Sequence, residues 1–141
     1  MNHEAPRYVL DAFAAMCLLN REPGSTRIVE VLARARDGDC TVSLCTVNWA
    51  EVLYSVARMR GADVVEGVVA RLDALPIGIV SAHRDLSAKA AELKAPGGLS
   101  LADCYAGALA QILQATLITG DPEFRRIADV VDIEWLPSET T

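Results

Sequence analysis

Residues 99–121 read LSLADCYAGALAQILQATLITGD, and the pattern within them indicates the fold class of the whole chain. Ser100 stands where a helix begins, and Asp103 follows three residues later, inside the first helical turn. An apolar helix then leads to the β-branched run 115–119, which stops just before Asp121. The stretch therefore predicts a helix that begins with one carboxylate and a strand that ends near another.

Short apolar segments alternate with helical patterns along the rest of the chain. Strands are expected at 8–10, 40–45, 77–80, 115–119 and, as an edge strand, 130–135. Helices are expected at 12–19, 25–36, 47–60, 62–74, 83–94, 101–114 and 122–128. Because such alternation is typical of a parallel sheet covered on both faces, we expect an α/β protein. The predicted architecture is a three-layer α/β/α sandwich with a short, mostly parallel central sheet. We expect one domain over 1–141, with a core of about 7–136 and a polar tail at 137–141.

Size and charge restrict the possible functions. The chain has 141 residues, of which 52% are hydrophobic, enough for one domain with a sizeable core. No apolar run approaches the roughly 18 to 20 residues of a membrane-spanning helix, and the first residues lack the pattern of a signal peptide, so a cytoplasmic protein is expected. The net charge of −6 disfavours a binder with a broad basic face. It does not exclude a nuclease, because metal ions reverse the local sign of charge around clustered carboxylates.

The cysteines and histidines form no ligand pattern. The cysteines are Cys17, Cys40, Cys45 and Cys104. They contain no CxxC pair, and both histidines are isolated, so neither a zinc site nor disulfides are expected. We interpret the cysteines as small buried apolar residues.

Four carboxylates are candidates for a single site: Asp11, Glu51, Asp103 and Asp121. Ligands of open parallel α/β sheets bind beyond the carboxyl ends of the strands. Asp11 and Asp121 follow the first and fourth predicted strands, and Glu51 lies early in the helix after the second strand, so connectivity places these three at that edge. Asp103 joins them only if the loop at 96–98 returns the chain to the same edge.

Three of these carboxylates also fit a purely structural role. Asp103 forms a capping box with Ser100, and Asp11 and Asp121 are each placed to cap a helix. Glu51 has no such explanation, because it stands among apolar residues with no Lys or Arg one turn away. If all four converge, their mutual repulsion requires a cation. Oxygen ligands with retained water favour Mg²⁺ or Mn²⁺ over zinc, and such a site suits phosphodiester hydrolysis.

These segments resemble the PIN-domain ribonucleases, and most closely the VapC-type toxins of bacterial toxin–antitoxin pairs. The resemblance runs from Tyr8 to about Leu136, and its most specific parts are LSLADCYAGALAQILQATLITGDPEFRRI and AEVLY around Glu51. It implies a PIN fold and an Mg²⁺- or Mn²⁺-dependent endoribonuclease that acts as the toxin of a type II toxin–antitoxin pair. It also implies a cognate antitoxin and a homodimer.

The resemblance further implies roles for individual residues. The family's acidic quartet, which acts in catalysis and metal binding, corresponds to Asp11, Glu51, Asp103 and Asp121. Thr119 matches a hydroxyl position from which it would hold a water or orient Asp121, although a β-branched strand residue explains it equally well. Phe13 departs from the pattern, because family members commonly place Ser or Thr shortly after the first Asp. Asn48, one helical turn before Glu51, is the candidate to supply the missing polar group.

An acidic chain must hold RNA through local contacts rather than through its overall charge. By position, Arg125 and Arg126, just beyond Asp121, are the candidates for phosphate contacts. Glu123 is a further acid near the site, and we expect it to be exposed to solvent.

Two predicted helices are candidates for an antitoxin groove. One is the valine-rich helix 62–74, and the other carries Trp49 and Tyr54. Packing on the core is the favoured explanation of the valines. Two other functions stay open: a catalytically silent PIN-like binding module, and a metal-dependent phosphatase or DNA nuclease on a similar sheet.

Overall fold

The computed structural model describes residues 4–137, so most of the predicted polar tail, 138–141, lies outside the described residues. The strands are β1 (Arg7–Leu10), β2 (Thr41–Cys45), β3 (Gly78–Val80), β4 (Thr116–Thr119) and β5 (Ile133–Trp135). The α-helices are α1 (Ala12–Leu19), α2 (Ser25–Arg36), α3 (Thr46–Arg60), α4 (Val65–Asp73), α5 (Arg84–Lys94) and α6 (Leu101–Leu113). Two 3₁₀ helices cover Ala62–Val64 and Pro122–Ile127.

The five strands form one sheet in the order β3-β2-β1-β4-β5, and every pairing is parallel. The predicted α/β architecture is therefore confirmed. All strands end at the same side of the sheet, which we call the carboxyl edge. β1 and β4 are neighbours at the centre, with Val9 opposite Leu117, so the residues that follow these two strands emerge side by side.

The side chains of the sheet alternate between two apolar layers. Val9 and Leu117 pack in a cluster with α5 and α6, whereas Leu10 and Ile118 pack with α1 and α2. A third cluster joins α1 to α3 and α4. The helices thus cover both faces of the sheet, which explains why its central strands are apolar on both sides.

The predicted helix at 62–74 is divided. Gly61 ends α3 with a φ of 100°, a conformation that favours glycine, and a 3₁₀ turn precedes α4. Val68 and Leu72 are buried in the cluster shared with α1 and α3, so the favoured core role of the valine stripe is confirmed.

Smaller differences occur near the carboxyl terminus of the domain. The helix predicted at 122–128 is a 3₁₀ helix, and β5 occupies only the last half of the strand predicted at 130–135. All four cysteines are buried, as their interpretation as small apolar residues predicted. None of the helices between residues 4 and 137 combines the length and apolar character needed to cross a bilayer.

Candidate metal centre

Thr119 links the ends of the two central strands. It is the last residue of β4 and is fully buried. Its Oγ1 donates to Asp11 Oδ2 at 2.6 Å and accepts from the backbone N–H of Asp121 at 3.0 Å. One hydroxyl thus fixes the carboxyl group that follows β1 and the backbone of the loop that follows β4.

Asp11 is a helix cap and a member of the acidic site at once. Its Oδ1 accepts from the backbone N–H of Ala14 at 2.8 Å, which caps α1, and only 2% of the residue is exposed. Burial raises the pKa of Asp11 from 3.8 to about 7, against the lowering effect of the hydrogen bonds from Thr119 and Ala14. The charges of Asp103 and Asp121 contribute smaller parts of this increase.

Asn48 joins α3 to α6. The side chain is fully buried, and its Nδ2 donates to the carbonyl oxygen of Ala102 at 3.0 Å and to Glu51 Oε1 at 3.3 Å. Its Oδ1 is buried and has no hydrogen-bond partner among the described residues. Asn48 therefore positions Glu51, whereas the polar partner of Asp11 is Thr119.

Asp103 lies at the carboxyl edge, where α6 contacts α3 through the bond from Asn48 to Ala102. The loop at 96–98 therefore returns the chain to this edge, as the inclusion of Asp103 in the site requires. Ser100 Oγ accepts from the backbone N–H of Asp103 at 3.1 Å, which confirms the Ser100 half of the predicted capping box. Burial raises the pKa of Asp103 to about 6, and the negative charges of Asp121, Glu51 and Glu123 add to that effect, while the hydrogen bond with Ser100 opposes it.

Glu51 and Asp121 complete what we call the acidic cluster, which consists of Asp11, Glu51, Asp103 and Asp121. Burial raises the pKa of the half-buried Glu51, the hydrogen bond from Asn48 lowers it, and the charge of Asp121 raises it. Asp121 also caps the following 3₁₀ helix through Glu123 N–H at 3.0 Å. Glu123 is exposed, as expected. Negative charge therefore accumulates at one edge of the sheet, where a cation would relieve it.

The donor atoms of the acidic cluster fit a hard divalent cation. They are carboxylate oxygens, with the unpartnered amide oxygen of Asn48 nearby. Within residues 4–137, no group of three or more His, Cys, Asp or Glu side chains is arranged to hold a metal ion. Carboxylate oxygens are nevertheless the ligand type that Mg²⁺ and Mn²⁺ prefer, whereas zinc favours nitrogen and sulfur.

Phe13 lies at the border of the acidic cluster. A Cβ atom on Gly120, which precedes Asp121, would overlap the Phe13 ring, so the glycine permits the close approach of ring and backbone. The side chain is 40% exposed. An aromatic surface therefore occupies the region where the resembled family commonly has a hydroxyl.

The two arginines proposed for phosphate contacts lie in the 3₁₀ helix after Asp121. Arg125 and Arg126 are both exposed, and neither forms an ion pair with another described residue. The guanidinium group of Arg126 lies against Gly98, in the loop before α6. Both arginines are thus free to meet an anion close to the acidic cluster.

Two polar links were not anticipated from the sequence. Thr46 is the first residue of α3, and its Oγ1 accepts from the backbone N–H of Ala82 at 3.1 Å. Thr119 was expected to hold a water or orient Asp121, and its Oγ1 does accept from the Asp121 N–H; its donation to Asp11 is the link that was not expected. The second link depends on β1 and β4 being neighbours, and strand order has no local signal in the sequence.

The fold and the acidic cluster define the class of the chain: an open parallel α/β protein with carboxylates gathered beyond the ends of its central strands. The chain belongs to the PIN domain family, which its sequence matches over residues 8–130. It matches none of the proteins of curated function with which it was compared.

Solved structures support the same fold. A chain of VapBC2 from Rickettsia felis, solved with a promoter DNA fragment, has a TM-score of 0.74 and 18% identity, with 93% of this chain and 99% of that one covered. VapC20 of Mycobacterium tuberculosis is described as a toxin that cleaves the sarcin-ricin loop. It has a TM-score of 0.71 and 14% identity, with 92% of this chain and 99% of that one covered. A chain of VapBC-1 from nontypeable Haemophilus influenzae has a TM-score of 0.68 and 17% identity, with 92% of this chain and 97% of that one covered.

Proposed function

We propose that the chain is a Mg²⁺- or Mn²⁺-dependent endoribonuclease that hydrolyses RNA phosphodiester bonds as the toxin of a type II toxin–antitoxin pair. The observation that carries the proposal is the convergence of Asp11, Glu51, Asp103 and Asp121 at the carboxyl edge, where neighbouring negative charges help to raise the pKa values of Asp11, Glu51 and Asp103. Membership of the PIN domain family and similarity to toxin–antitoxin structures support it.

The acidic cluster would hold the metal, directly or through water. When bound, such an ion polarises the phosphate and lowers the pKa of a coordinated water. Thr119 keeps Asp11 oriented and favours its charged form, because the hydroxyl donates to a carboxylate oxygen. Asn48 orients Glu51 through the hydrogen bond that its Nδ2 donates to Oε1.

Substrate and partners follow from the same proposal. Arg125 and Arg126 would bind phosphates that flank the scissile bond, in an otherwise acidic protein. A cognate antitoxin, a homodimer and a cytoplasmic location belong to the proposed toxin role. Similar structures include a toxin–antitoxin complex from Klebsiella pneumoniae, which supports the antitoxin.

The proposal is tested with the purified chain and matched RNA and DNA hairpins. We expect cleavage of RNA in millimolar Mn²⁺ or Mg²⁺, little cleavage of DNA, and none in excess chelator. Cleavage that persists in chelator would contradict the metal-dependent mechanism, and preferred cleavage of DNA would contradict the ribonuclease. Calorimetry that detects no Mn²⁺ binding, together with intact antitoxin binding, would instead favour a catalytically silent binding module.

A further inference from the structure

A groove between α1 and α3 begins beside the acidic cluster. Its volume is about 380 Å³. One wall contains Phe13 and Met16 of α1 and Asn20 just after it, the other contains Ser55 and Met59 of α3, and Glu22 also lines the groove. Each row follows helical spacing and so lies along one face of its helix.

Both walls lead back to the acidic cluster. Glu51 lies one turn before Ser55 on α3, and Phe13 follows Asp11 by two residues on the other side. The Phe13 ring is fixed against Gly120, next to Asp121, while 40% of the side chain stays exposed. An aromatic surface thus stands between the carboxylates and the groove.

A cation lies next to Asn20, just beyond the residues that line the groove. Arg60, the last residue of α3, donates from its guanidinium group to Asn20 Oδ1. Asn20 Nδ2 in turn donates to Glu22 Oε1 at 3.5 Å. Arg60 forms no ion pair with another residue between 4 and 137, so its charge is available to an anionic ligand.

We propose that this groove binds an unpaired nucleotide of the RNA substrate next to the scissile bond, with its base stacked on Phe13 and its backbone directed toward Arg60. The inference rests on the proposed ribonuclease function and names a substrate-binding element of that site. An exposed aromatic ring accepts any base, because every base has a π face. An apolar peptide segment would cover Met16 and Met59 but would offer no anion to Arg60, whereas a nucleotide supplies a base for Phe13 and a phosphate for Arg60.

The test measures binding of RNA hairpins with four-nucleotide loops in excess chelator, where the proposed hydrolysis is arrested. Each loop position is replaced in turn by an abasic residue. We expect one position at which the abasic change weakens binding to the natural chain by about 5- to 150-fold, the range of a lost base–aromatic stack.

In Phe13→Ala, the abasic change at that position should alter binding by no more than about twofold, since the abasic change and the Phe13 substitution remove the same contact. Phe13→Tyr should retain the penalty, and Phe13→Leu, which keeps apolar bulk but has no π face, should lose it. Ile112→Ala is the matched control, because Ile112 is also 40% exposed but lies in the last turn of α6.

An undiminished penalty in Phe13→Ala would overturn the inference. So would a variant that loses binding only to an antitoxin peptide, because the groove would then be a protein-binding surface. Cleavage assays with the same hairpins separate this result from the proposed function. Normal cleavage with no effect of Phe13 rejects the stacking alone, whereas Phe13-dependent binding without metal-dependent cleavage rejects the ribonuclease and keeps the RNA site.

Discussion

Two opposing effects act on the carboxyl group of Asp11. Burial favours its neutral form, whereas the hydrogen bonds from Thr119 and Ala14 favour its charged form. Burial prevails without a metal, and the pKa of Asp11 is raised to about 7. The charged form needed for metal binding therefore depends on Thr119 at neutral pH.

Replacing Thr119 by valine keeps the volume of the side chain and removes the donor. We expect the pKa of Asp11 to rise further, so the acidic limb of the pH–rate profile should move to higher pH. Activity near pH 7 should fall by roughly 10- to 100-fold, the value of one hydrogen bond to a charged group.

Thr119→Ser is the control, because it retains the hydroxyl and should retain the pH profile. A Thr119→Val enzyme with an unshifted profile would show that the hydroxyl does not act through Asp11.

Much of the acidic site was predictable residue by residue. The strand ends and helix starts around Asp11, Glu51 and Asp121 determine the edge at which they lie, and the caps of Asp11 and Asp121 coexist with that placement. The partner of Asp11 was not predictable, because a bond between Thr119 and Asp11 spans 108 positions and depends on strand order.

Among the helices, the contact between α3 and α6 determines whether Asp103 reaches the site. The loop at 96–98 consists of Pro, Gly and Gly, and this composition does not determine the direction in which the chain leaves the loop. The position of Asp103 could therefore not be predicted from the sequence alone. In the structure, Asn48 makes the link through the carbonyl of Ala102 in the first turn of α6.

Asn48→Ala should loosen that link. The carbonyl of Ala102 would lose a buried donor, and we expect the free energy of unfolding to fall by about 1 to 3 kcal/mol. Cleavage should fall as well, because Glu51 loses the group that orients it. Chemical denaturation and single-turnover cleavage measure the two effects.

Thr46→Ala serves as the comparison, since it removes another polar link of α3, from Thr46 to Ala82, that has no bond to Glu51. Asn48→Ala should lose more cleavage than Thr46→Ala when the two variants are equally stable. An equal loss of cleavage in the two variants would contradict a positioning role for Asn48.

For the whole molecule, the acidic cluster predicts an unusual dependence of stability on pH. The pKa values of Asp11 and Asp103 are raised from 3.8 to about 7 and about 6, so the folded chain holds protons that the unfolded chain has released. Between about pH 4 and 7 the folded state then binds more protons than the unfolded state. The contribution of Asp11 and Asp103 to the free energy of unfolding therefore decreases as the pH rises.

Chemical denaturation of the metal-free protein across this range should show the decline, and Asp11→Asn should reduce its slope. Glu66→Gln, a change at an exposed acid of α4, is the control and should leave the slope unaltered. Mn²⁺ should stabilise the natural chain more at pH 7 than at pH 5, because protons compete for the same oxygens. Equal slopes in Asp11→Asn and the natural chain would contradict the raised pKa.

The most direct test of the proposed metal-dependent ribonuclease compares the natural chain with Asp103→Asn in an RNA cleavage assay with millimolar Mn²⁺. The substitution keeps the shape of the side chain but removes its charge, so circular dichroism should report an unchanged fold. We predict that the natural chain cleaves the RNA and that the cleavage rate of Asp103→Asn is lower by about 100-fold or more. Loss of a metal ligand should reduce activity at least as much as loss of the groups that support a ligand. Equal cleavage by the two proteins would contradict the assignment of Asp103, and with it the four-carboxylate metal site.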